Sequence, residues 1–135
     1  MLPILINDVP LPCINQAAIH YLIPAPLIIA VLKTENGKNG MASQNKNGTV
    51  DLGVMQINSS WLPTLAHFGY TAKDVQFNRC KNVDAGAWIL SSEMKSTASI
   101  WRGVGDYHSH TPNKNNEYVK LVSMRYQSIV SKISD

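Results

Sequence analysis

The chain has 135 residues, of which 44% are apolar and 16% charged, with a net charge of +3. This describes one domain, long enough to bury roughly two-thirds of its unfolded surface, with no apolar run near the length a membrane span needs. The positive excess is scattered lysines rather than a Lys/Arg run, so no nucleic-acid surface is signalled; a mild positive balance suits an anionic polymer such as a cell wall. Residues 1–12 hold three prolines and little periodicity, which predicts an extended arm over the surface. Cys13 to Tyr21 has helical character, with Ile14, Ala18 and Tyr21 on one side. Pro24 and Pro26 end that element and start the next, since proline is tolerated in a first helical turn.

The stretch from Pro26 to Trp61 organises the chain. PLIIAVLKTENGKNG predicts an apolar helix ending at Glu35, with Asn36-Gly37 as a left-handed stop. Ile28, Val31 and Glu35 share one stripe, so the acid ends a core-facing row. Burial and the negative end of the helix dipole both disfavour its carboxylate, which is what a general acid near neutral pH requires. On the helix alone, an exposed Glu at a frayed end is an equal reading.

Three Asn-Gly pairs lie between Asn36 and Gly48. Because both residues tolerate positive φ, they predict a small β-piece with strands near Met41–Gln44 and Thr49–Leu52, a polar linker being the alternative. Beyond Asn58, SSWLPTLAHFG predicts a short helix interrupted near Pro63, and TAKDVQF another turn. From Asn78 to Lys95, Cys80, Val83, Ala87, Leu90 and Met94 recur at helical spacing and predict a buried central helix. Gly86 within it would cost about 1 kcal/mol relative to Ala, for which a close helix–helix approach is a reason. Ser99–Tyr107 predicts a short helix with Trp101 and Val104 inward. A last long helix follows, roughly Asn113 to Ile133.

Cys13 and Cys80 permit one pairing, worth about 4 kcal/mol if formed; two free core thiols are the alternative. No CxxC occurs and the histidines lack zinc-ligand spacing, so neither metal nor cofactor is predicted. Met1 is followed by LPILINDVP, too short and without the positive charge of a signal peptide, which leaves a cytosolic chain or one whose export signal has been removed.

Four segments in order resemble the lytic transglycosylase (SLT) domain of the lysozyme superfamily. They are the Glu35 helix, GVMQIN (Gly53–Asn58), CKNVDAGAWIL (Cys80–Leu90) with an Asn-apolar-x-x-Gly pattern, and VGDYHS (Val104–Ser109). The last resembles a region where the family carries Ala-Tyr-Asn, and His108 departs from that Asn. The resemblance implies an α+β, mainly α, lysozyme-like fold over residues 13–135, with a small antiparallel sheet after the catalytic helix. It implies Glu35 as the catalytic acid and then base in cleaving peptidoglycan at the MurNAc-β-1,4-GlcNAc bond. Met55, Gln56, Asn58, Asp51 and Tyr107 would bind substrate: Gln56 and Asn58 line the cleft, Met55 packs beside Glu35, Asp51 orients substrate, and Tyr107 orients the acid or the acetamido group. Trp61 would stack on a sugar or sit in the core, and Trp88 would pack.

The similarity is greatest to the small transglycosylases that accompany type III and type IV secretion, conjugation and pilus machines. Those often pair an N-terminal cysteine with one before the central helix, which implies a Cys13–Cys80 disulfide and a periplasmic home. TVDLGVMQINSSW also resembles animal-type lysozymes, in which Asp51 would be a second catalytic carboxylate and the reaction hydrolysis. A non-catalytic peptidoglycan-binding component of a secretion machine is the third reading.

Overall fold

The computed structural model describes residue 2 and residues 4–134. Its first element corrects the expected arm. Leu5–Ile6 (β1) and Val9–Pro10 (β2) pair antiparallel, with Ile6 opposite Val9. Asn7 and Asp8 form the connecting turn at φ 49° and 69°, the two positive angles that a tight hairpin requires. Val9 is fully buried, Asn7 donates to the Leu32 carbonyl at 3.2 Å, and Asp8 takes two hydrogen bonds from Arg79. The expectation for Met1 and Pro3 lies outside the described residues.

Helix α1 (Leu11–Tyr21) buries Ile14 and Ala17, and its chain reverses at Leu22 in the left-handed region. Helix α2 (Ala25–Glu35) has Pro26 in its first turn and ends at Asn36, φ 52°, whose N–H bonds the Leu32 carbonyl. Gly37 serves a different need from the one predicted. A Cβ there would stand 2.2 Å from the Gly53 carbonyl oxygen, so close backbone approach demands it.

Ala42–Gln44 (β3), Val50–Leu52 (β4) and Ile57–Asn58 (β5) form an antiparallel sheet in the order β3-β4-β5. Its register puts Ser43 opposite Asp51 and Asp51 opposite Asn58. Alternation along these strands turns Ser43, Asp51 and Asn58 to one face. A 3-10 turn (Ser59–Trp61) leads into α3 (Leu62–His67), which Pro63 starts rather than interrupts. Helix α4 (Ala72–Phe77) opens on a reciprocal Thr71–Asp74 capping box.

Helix α5 (Arg79–Lys95) is the central helix, capped by Asn78 and burying Val83, Ala87, Ile89 and Leu90. It packs on α1, on α4 and on α6 (Ile100–His108). Helix α7 (Pro112–Ser134) crosses both α2 and α6, with Tyr118 and Val122 buried. Cys13 and Cys80 are joined, tying α1 to the first turn of α5 with their Cα atoms 5.3 Å apart. Among the described residues no helix is long and apolar enough to cross a membrane.

Candidate active site

Helix α2 delivers Glu35 to the edge of a cleft of about 500 Å³ between the sheet and helices α6 and α7. The sheet wall presents Asn45, Asp51, Gln56 and Asn58, and the helical wall Tyr107, His108 and Lys114. Glu35 is pushed up to about 7, chiefly by burial, with the Asp51 charge adding and a hydrogen bond from Tyr118 opposing. That bond runs from the Tyr118 hydroxyl to Glu35 Oε2 at 2.7 Å. Burial and the Glu35 charge raise Tyr118 itself well above its usual range, so it remains a donor. Near neutral pH the carboxyl therefore lies close to the balance between its protonated and ionised forms.

The sequence does not mark Tyr118 as a site residue, since it is there one apolar position on a long helix. It reaches Glu35 across 83 residues, and no local pattern encodes that. His108 lies over it, the two rings parallel within 6° and 4.7 Å apart. Burial lowers the imidazole's pKa, the Asp51 charge acting against it.

The predicted site residues sort by position. Asp51 lines the cleft, with Oδ1 accepting from Asn45 and from Asn58, each at 3.1 Å. Asn58 lines it too, but its amide is shared with Thr49 and its oxygen accepts from the Ser60 N–H. Gln56 is committed to the sheet. Its oxygen takes the Ser43 hydroxyl at 2.9 Å and its amide donates to the Gly53 carbonyl at 2.9 Å. Tyr107 does not bond Glu35; its hydroxyl donates to the Met55 carbonyl at 2.8 Å, and burial, then Glu35 and Asp51, push it well up. Trp61 lines the cleft and meets the Trp88 ring edge-on at 5.9 Å, while Trp88 also packs on Phe68.

Met55 is the correction. It is completely buried, so its side chain cannot touch substrate. Its backbone is instead a junction: the N–H donates to Asn82 Oδ1 at 2.9 Å while the carbonyl receives Tyr107. Asn82 is itself buried and gives its amide to the Leu52 and Val75 carbonyls. A Cβ at Gly86 would stand 2.5 Å from Met55 Sδ. The glycine in the central helix thus makes room for Met55, not for another helix.

Among the described residues, one group gathers three side chains able to ligate a metal, Glu93, Asp106 and His110, with their ligand atoms within 4.8 Å of one another. Sequence spacing gave no hint of it. His110 bridges the two acids, Nε2 lying 3.0 Å from Glu93 and Nδ1 3.5 Å from Asp106. Asp106 Oδ1 also takes the buried Asn115 amide at 2.8 Å. These contacts account for the group as an imidazole clamped between carboxylates.

The chain as a whole has relatives among known proteins. Residues 12–125 match the model of the family described as Transglycosylase SLT domain. The chain belongs to the transglycosylase SLT family. It is similar to Invasion protein IagB of Salmonella typhimurium, with 33% identity over 129 residues, covering 92% of this chain and 81% of that one. Protein IpgF of Shigella flexneri is 32% identical over 117 residues, covering 85% and 77%. A Peptidoglycan-binding-like protein of Escherichia coli O157:H7 is 28% identical over 127 residues, covering 84% and 75%. For an SLT domain the chemistry to be explained is glycan cleavage.

Proposed function

We propose that this SLT domain is a lytic transglycosylase that cuts the MurNAc-β-1,4-GlcNAc bond of peptidoglycan with Glu35 as sole catalytic carboxyl. The observation that carries the reading is Glu35 at about 7 on the wall of a polar cleft. Protonated Glu35 gives its proton to the glycosidic oxygen as that bond breaks. The muramyl 2-acetamido oxygen closes on C1 and spreads the positive charge, a substrate-assisted course open to glycosidases. Glu35, now a carboxylate, takes the C6 hydroxyl proton, O6 attacks C1, and the acetamido oxygen departs. The product ends in 1,6-anhydroMurNAc, no water is consumed, and Glu35 is protonated again. Asp51, Asn58 and Gln56 form the polar wall facing the sugars, and Tyr107 steadies the Met55 turn that carries that wall.

Asp51 supports a second reading, hydrolysis by a lysozyme pair, because its charge reaches Glu35 within the same cleft. Two amide donors already hold its Oδ1 in the sheet, however, which suits a structural or orienting group better than a nucleophile. Mass spectrometry of the soluble products from purified sacculi separates the two. Ends one water lighter than the reducing sugar are expected; reducing ends would promote Asp51 and make this a lysozyme. Glu35→Gln should bind sacculi without clearing them, and clearing that persists would remove Glu35 from the mechanism.

The place of action in this reading is the periplasm, which suits both the substrate and the Cys13–Cys80 disulfide. The role is local opening of the wall for a type III or type IV secretion, conjugation or pilus machine, with components of that machine as partners. The similarity to a protein named for invasion supports it.

A further inference from the structure

Glu35 faces two spaces. One is the substrate cleft; the other is a smaller cavity of about 210 Å³ on the α7 side, reached past Thr34, Tyr118 and Leu121. His108 and Lys114 line both, so they form the wall that the two spaces share. The imidazole lies flat on Tyr118, whose hydroxyl holds Glu35 Oε2. Both side chains are exposed on their outer sides; what distinguishes the imidazole is its parallel stack on Tyr118, with ring centroids 4.7 Å apart.

We propose that His108 is a positioning residue that closes the cleft's inner wall behind Glu35 and, through its stack on Tyr118, keeps the acid dry and in place. The proposal rests on Glu35 being the acid.

Its consequence follows from which effect on Glu35 is largest. Burial is the main cause of the raised carboxyl pKa, and the Tyr118 bond is the smaller, opposing one. Opening the wall would admit water to Glu35 from behind, while loosening Tyr118 would release a hydrogen bond to the carboxylate. Because burial outweighs the Tyr118 bond in the intact site, the pKa is expected to fall. The groups facing His108 are Glu35 on α2, Asp51 on β4, Tyr107 beside it, and Lys114, Glu117 and Tyr118 on α7, with Lys46 across the cleft. Glu93, Asp106 and His110 face it across an adjoining cavity. Burial keeps the ring neutral near pH 7, so removing it takes no charge away, and the shift is one of solvation.

The experiment compares His108→Ala, His108→Asn and His108→Phe in the intact chain. It reads kcat and KM on soluble glycan oligomers against pH, and the Glu35 carboxyl titration by carbon-detected NMR. Phe restores a flat ring without a titratable group. In His108→Ala, the alkaline limb of kcat and the NMR titration should move together to lower pH. A one-unit fall would cut the protonated fraction at pH 7 about five-fold, with KM little changed. His108→Asn should move the same way, and His108→Phe should return both readouts to the parent values.

An unmoved titration in His108→Ala would overturn the proposal, and so would a Phe variant shifted as far as the Ala one. Should the Ala variant fail to fold, the Asn and Phe pair carries the same comparison. A Glu35→Gln enzyme that still cleaves would instead defeat the reading of Glu35. The NMR titration keeps the two failures apart, since it reports the wall without needing activity.

Discussion

Glu35 is held where its ionised form is disfavoured, and this carries a cost that stability measurements can read. Its folded pKa of about 7 lies above the ordinary 4.5. Below pH 4.5 both states are protonated and the fold keeps its full stability. Between 4.5 and about 7 the unfolded chain ionises first, so stability falls with rising pH, and above about 7 the loss is constant. For a shift of this size that loss is bounded at about 3 kcal/mol. Glu35→Gln, which cannot ionise, should therefore be more stable than the parent at pH 8, and the gap should close by pH 4. Denaturant titrations at the two pH values check this, and an equal gap at both would mean that burial is not what raises the acid. The partner predicts the opposite kinetic shift from His108. Tyr118 stabilises the carboxylate, so Tyr118→Phe should raise the Glu35 pKa and move the alkaline limb of kcat upward, the ring and its stack on His108 being kept. A limb that moved down instead would show that the phenol's main service is to exclude water.

At the scale of elements, the site depends on how α5 grips the turn between β4 and β5. Asn82 satisfies the Met55 N–H and the Leu52 and Val75 carbonyls from within the core. Asn82→Ala would strand three buried backbone groups, at about 1–3 kcal/mol for each one that water cannot reach. The expected result is a fall in stability of several kcal/mol, with faster hydrogen exchange at the Met55 amide. Gly86→Ala would press on a Met55 side chain with no free space, at about 1–3 kcal/mol. Its combination with Met55→Ala should cost less than the sum of the two alone, because the intruding atoms are then gone.

These same contacts show what the sequence could and could not say. Periodicity exposed the apolar face of α2 and so the inward Glu35, and it exposed the buried side of α5. The family resemblance marked Asn82 and Gly86 as a pattern without revealing that both serve Met55, because that contact joins segments about 30 residues apart. The sheet was legible through its Asn-Gly turns. The N-terminal hairpin was not, since its turn is Asn7-Asp8, which tolerates positive φ less freely than Asn-Gly, and three prolines nearby argued for an arm. Met55 was misplaced because motif order fixes which residues are neighbours, not which way each side chain points.

Over the whole molecule, the two ends of α5 do different jobs. Its first turn carries Cys80 and the bond to α1, while Ile89, about 14 Å further along the axis at 1.5 Å per residue, already lines the cleft. The disulfide spans 67 residues and so encloses the acid helix, the sheet and the Met55 turn in one covalent loop. Closing a loop of that length removes about 4 kcal/mol of unfolded-chain entropy, and it does so without a side chain in the cleft. Cys13→Ser/Cys80→Ser should therefore lose stability of that order while keeping its kcat, its KM and the pH position of its alkaline limb at temperatures where it is folded. Thermal melts with and without reductant, beside pH profiles of the folded fraction, test both halves. A shifted pH profile would mean that strain from the bridge passes along α5 to the acid. An unchanged melting temperature would mean that the unfolded chain stays compact enough for the covalent tie to add nothing.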